Sequence, residues 1–178
     1  MSNNCVLDSS SYVPVLGDLL SEDRIMPLDA GTPDQARLTQ LRALDMTQAL
    51  APHPVQDRDM AEACKSAIWL YHDFLEESHT ISQSIETSTG SYWHGIMHRR
   101  ELDFSNAKYW FRRVGEHPIF DKLREEFADD GLWDPLVFVD QCQQSFYDAE
   151  ELAQRCLSIQ QREWQLLFDF CYHQAIGT

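Results

Sequence analysis

The chain has 178 residues, 43% apolar and 24% charged, the composition of one globular domain and not of a disordered chain. At this length folding hides roughly 70% of the unfolded surface, so stability requires neither disulfides nor a structural metal. Twenty-nine acids against 14 bases leave a formal charge of −15, which repels phosphate backbones and anionic bilayers and argues against nucleic-acid or membrane partners.

The first thirty residues carry no basic region followed by an apolar one, and no run of 18 apolar residues occurs. A cytoplasmic protein is therefore expected. The five cysteines (5, 64, 142, 156 and 171) are widely spaced without a CxxC pair, which fits free thiols and not a disulfide framework or a cysteine zinc site.

Residues 1–31 read as an N-terminal arm, weakly structured or packed as a strap through Val13, Val15, Leu16, Leu19 and Leu20. An all-α domain over 32–178 follows. Thr32-Pro33-Asp34-Gln35 has the form of a capping box with Pro at the first helical position, and predicts a helix that Pro52 and Pro54 stop. Met60, Cys64, Ala67, Ile68, Tyr71, Phe74 and Leu75 form one stripe at helical spacing, so a long helix is predicted near 57–79.

Ser91 is placed as the cap of a short helix to about 101, and Ser105 as the cap of another that Gly115 ends. Pro118 opens a helix ended by Gly131, Asp134-Pro135 repeats the cap-then-proline signal, and Asp148 caps a final helix near 149–174. No segment combines period-two alternation with β-branched residues and hairpin turns. The predicted fold is a single-domain helical bundle of six or seven helices.

Residues 90–120 depart from the acidic average. Arg99, Arg100, Lys108, Arg112 and Arg113 lie among Tyr92, Trp93, Phe104, Tyr109, Trp110 and Phe111. Guanidinium groups beside aromatic rings suit a small anionic organic molecule. They equally suit internal pairing with the acid-rich stretch after 121.

The sharpest pattern is His94-Gly95-Ile96-Met97-His98-Arg99-Arg100-Glu101. On a helix, His98 falls about 40° from His94 and Glu101 about 20° to the other side. Two imidazoles and a carboxylate thus share a face, enough for three ligands of a divalent zinc or iron ion. A metalloprotease helix would carry Glu immediately after its first His, and here that position is Gly95. Without metal, the same groups are acid/base or ligand-contact residues, or core hydrogen-bonders.

His72, Glu76 and His79 repeat the i, i+4, i+7 spacing. A di-iron bundle needs a second Glu-x-x-His step, which is lacking. If these side chains face the His94 helix, the two sets share one site. On the last helix, Glu163 falls inside the stripe of Leu152, Cys156, Ile159, Leu166, Leu167 and Phe170. A carboxylate there needs a partner. It either pairs with Arg112 or Arg113, or serves as fourth metal ligand or general base.

The sequence thus supports a buried His/Glu/Arg/aromatic pocket that binds or transforms a small anionic organic molecule, with or without a metal. His94, His98 and Glu163 are its reactive groups, and His94, His98 and Glu101 its metal ligands. Arg112 or Arg113 serves as anion clamp, with Trp93, Tyr109 and Trp110 as walls. The alternative is an acidic helical interaction module that docks a basic protein partner and has no catalytic activity.

Overall fold

A computed structural model describes residues 9–21, 24–127, 133–148 and 150–178. Among these residues the protein is all-helical, a bundle of ten α-helices with no strand. Ten exceeds the six or seven expected because two predicted helices are each broken in two and the strap forms a helix of its own.

The strap forms the first helix, α1 (Pro14–Leu19), behind a 3-10 turn at Ser9–Ser11. Val13, Leu16, Leu19 and Leu20 are buried while Val15 is exposed. Tyr12 sets its ring edge-on against Phe168 and Tyr172 of the last helix, at 5.1 Å from each, and its hydroxyl bonds Asp169.

The helix predicted from Thr32 begins later and in two pieces, α2 (Leu38–Arg42) and α3 (Met46–Ala49). No side chain caps α2, and Asp34 instead holds the turn before it. Its carboxylate accepts from Ala36 N, and its own N–H donates to the His72 carbonyl at 3.0 Å. Asp45 then starts α3 by accepting from Gln48 N.

The predicted helix at 57–79 is also two helices, α4 (Arg58–Tyr71) and α5 (Leu75–Ser82). Asp73 between them has φ 64°, a left-handed conformation costly for a residue with a Cβ. Two guanidinium groups hold it there. Arg100 bonds one carboxylate oxygen at 2.5 Å and Arg24 the other at 2.8 Å. Arg100 also donates to the carbonyls of Leu70, Asp29 and Ala30, so the same side chain fixes the break and the segment after the strap.

Next come α6 (Ser88–Arg100), capped by Thr87 rather than Ser91, and α7 (Phe104–Val114), capped by Asp103 rather than Ser105. Gly115 ends α7 at φ 66°, as its position predicts. After α8 (Ile119–Phe127), Asp134 caps α9 (Pro135–Gln144) through Leu136 N and Val137 N. Gly131 lies outside the described residues. The final helix, α10 (Glu150–Ile176), crosses α4, α8 and α9.

The core gathers around α6, which is buried from Thr89 to Arg100 and packs on α4, α5 and α7. Between α6, α4 and α10 lies an aromatic stack. Trp164 lies parallel to Phe168 at 5.0 Å and donates its indole N–H to the Ala67 carbonyl, while Trp93 meets Trp164 edge-on. Large buried side chains of this kind contribute about 1.5–3 kcal/mol each by leaving water.

Candidate metal centre

A helix buried on every side must find partners for each polar residue it carries, and α6 divides its own among three directions. His94 and His98 face α5. There His79, at the start of its last turn, completes a trio whose potential ligand atoms all lie within 4.8 Å of one another. The ring centroids are 4.6 Å apart for His79–His94, 4.7 Å for His94–His98 and 5.3 Å for His79–His98. His94 and His98 are buried and His79 is half-buried.

Outer hydrogen bonds set the chemistry of this trio. The Ser82 hydroxyl donates to the His79 carbonyl at 3.2 Å and lies 3.3 Å from His94 Nδ1. When the hydroxyl proton goes to that carbonyl, the oxygen accepts from His94 and hydrogen sits on Nδ1. Glu101 Oε2 lies 3.0 Å from His98 Nδ1, and a carboxylate only accepts, so hydrogen again sits on Nδ1. His98 therefore keeps its Nε2 lone pair, and His94 does so in the same arrangement of its Ser82 contact. This is the second-shell arrangement by which proteins fix metal-binding histidines.

Burial is the larger cause, and the neighbouring His98 and His79 the smaller, that hold His94 down to a pKa of about 3. His98 is also lowered, chiefly by burial and against the pull of Glu101. Neutral imidazoles have no proton to lose on metal binding. Trp110 of α7 closes one side, its ring 4.0 Å from His94 at 33°. Arg113 lies over the other partner in this stack, 5.1 Å from the Trp110 ring.

Glu101 thus stands behind His98, and His79 supplies the third imidazole. Its spacing was visible in the sequence, but its direction depended on the break at Asp73. His72, which shares that spacing, points to the strap instead, with Nε2 2.9 Å from the Leu19 carbonyl and Nδ1 3.3 Å from Asp34. Glu76 is exposed.

The other polar residues of α6 go elsewhere. Arg99 bonds Glu163 at 2.5 Å, both fully buried, and Tyr92 donates to the same carboxylate at 3.0 Å. Glu163 is therefore in a buried ion pair, with Arg99 as the partner rather than Arg112 or Arg113. Arg99 also lies over Phe138 at 4.5 Å. Trp93 is on this side too, donating to Cys171 Sγ. It walls the core and not the imidazole trio.

Arg112 and Arg113 are exposed because α7 turns Ala107, Phe111 and Val114 inward. Arg112 lines a separate open groove of about 480 Å³, with Phe104, Lys108 and Gln143. Tyr109 is half exposed beside Trp110. His117 is buried alone, with Nε2 3.2 Å from the Thr89 hydroxyl and Nδ1 accepting from Ile119 N.

Three imidazole nitrogens, two of them braced by outer hydrogen bonds, suit a zinc-class ion with one position left open, the pattern of catalytic zinc sites. Iron, nickel and copper also accept such donors. Among the described residues no helix is long and apolar enough to cross a membrane. No protein-family model, no curated protein sequence and no solved structure matches the chain.

Proposed function

We propose that the protein is a divalent-metal protein that binds or transforms a small anionic organic molecule at His79, His94 and His98. One observation carries this reading: three imidazoles converge within 4.8 Å, with the Nδ1 atoms of two of them at hydrogen-bond distance from Ser82 and Glu101. Three imidazoles crowded together gain nothing from one another, whereas a cation bound among them would be held by all three at once. Zinc or iron is the favoured ion. A cytoplasmic setting accords with the buried, unpaired Cys64, Cys142, Cys156 and Cys171.

The test is elemental analysis by mass spectrometry of untagged protein, beside a His94→Ala/His98→Ala double variant. About one equivalent of zinc or iron should accompany the native chain and disappear from the variant. A native chain that takes up neither, even after incubation with both ions, returns the protein to the acidic interaction module.

A further inference from the structure

The open groove beside α7 is separate from the imidazole trio, and its lining runs from apolar to cationic. Phe104, Lys108 and Arg112 line it at i, i+4 and i+8, so they form one row along α7. Gln143 contributes from α9, and Leu102 and Asp103, just before α7, line the Phe104 end. Phe146 is 43% exposed and extends that apolar end, its ring 6.3 Å from the ring of Phe104. Leu102 holds φ 64° just past the end of α6, where glycine is the usual residue because a Cβ is unfavourable there. The side chain kept at that position lines the groove and is left 44% exposed by the core.

Charge gives the groove a direction. Lys108 is paired with Asp140. Asp103 accepts from Asn106 N and from the Ser105 hydroxyl, so a carboxylate already sits at the apolar end and repels an anionic group there. Arg112, at the other end, has no hydrogen-bond or ion-pair partner among the described residues. One free guanidinium matches one carboxylate, two N–H donors to two oxygens. The higher charge of a phosphate calls for a second cation, and Lys108 is spent. Eight residues of helix separate Phe104 from Arg112, about 12 Å, the reach of an acyl chain of about ten carbons. The volume of about 480 Å³ is that of a small-molecule site. We propose that the groove binds an amphipathic carboxylate, its head on Arg112 and its elongated apolar body lying along Phe104 toward Leu102 and Phe146.

Calorimetric titration of the full-length protein, as purified, with decanoate below its micelle concentration provides the test. Decanoate should bind saturably, with affinity rising about twofold per methylene from hexanoate to decanoate, half the effect of full burial. Decanol, which lacks the charge, should bind about tenfold more weakly. Arg112→Gln should weaken decanoate about tenfold and leave decanol unchanged, whereas Arg113→Gln, whose side chain lies over Trp110, should alter neither. Leu102→Gly, which suits the backbone there, should weaken decanoate about threefold without lowering the urea midpoint. The His94→Ala/His98→Ala variant should bind decanoate as the native chain does. Decanol binding as tightly as decanoate, equal losses in Arg112→Gln and Arg113→Gln, or heat that never saturates would overturn the assignment. So would binding that Arg112→Gln spares and the double histidine variant abolishes, which would move the carboxylate to the trio. The metal reading is decided separately, by elemental analysis.

Discussion

Two polar clusters sit on different sides of one buried helix, and they differ in kind. On the α10 side of α6, Arg99, Glu163 and Tyr92 bring a cation, an anion and a hydroxyl together. Their charges oppose, and the cluster answers most of its own needs. On the α5 side, His79, His94 and His98 bring three groups of the same kind, and each offers a lone pair that the others cannot use. Burial alone does not separate structure from function, since members of both clusters are buried. Complementarity does. A cluster that neutralises itself is a clamp, and one that repeats a single donor type is waiting for something outside the chain.

The strongest challenge to this contrast is Glu163→Gln. If the ion pair is a clamp, the change leaves the Arg99 charge buried without its partner and should cost about 3–5 kcal/mol, measured by urea unfolding, with the metal content unchanged. A loss under about 1 kcal/mol, or a loss of metal, would mean that the two clusters are not separate.

His117 supplies the next largest effect and extends the comparison to a buried imidazole standing alone. Burial lowers its pKa from 6.5 to about 4. The unfolded chain then binds a proton that the folded chain refuses at pH values between these two. Stability is therefore full above pH 6.5 and should fall by about 3 kcal/mol as pH drops to 4. In metal-free protein, His117→Gln should make that part of the urea-midpoint profile less steep, His94 supplying a slope of its own over the same range, and an unchanged slope would refute the assignment.

The finest adjustment falls on Glu101. Replacing it by Gln keeps a hydrogen-bond acceptor but removes the charge behind His98, and should weaken metal binding 10–100-fold in competition with a chromophoric chelator. No change would mean that Glu101 contributes nothing to the tuning of His98.

The sequence made the helical class, the strap, the Asp134 cap and the Gly115 terminator legible, because each rests on local spacing or backbone chemistry. His94, His98 and Glu101 could be read from α6 for the same reason. His79 could not be oriented. An apolar stripe runs straight through residues 71–75, and the break at Asp73 is stabilised by Arg24 and Arg100 from distant positions. Glu163 announced its need for a partner, but the choice among arginines depended on how α6 and α7 turn. The inward row of Ala107, Phe111 and Val114 leaves Arg112 and Arg113 outside.

Gly95 stands between the two α6 histidines and the close approach of α7. A Cβ at this position would meet the Phe111 ring at 3.1–3.2 Å. His94-Gly95-Ile96-Met97-His98 is one residue away from the zinc-protease pattern, since glutamate at 95 would complete it. The fold closes that route. A carboxylate grown from position 95 would run into the packed aromatic ring of α7 rather than out over a bound metal, and the tight seam between the two helices would have to part to admit it. The spacing that brings Trp110 onto His94 thus also bounds the chemistry this chain can acquire by small steps.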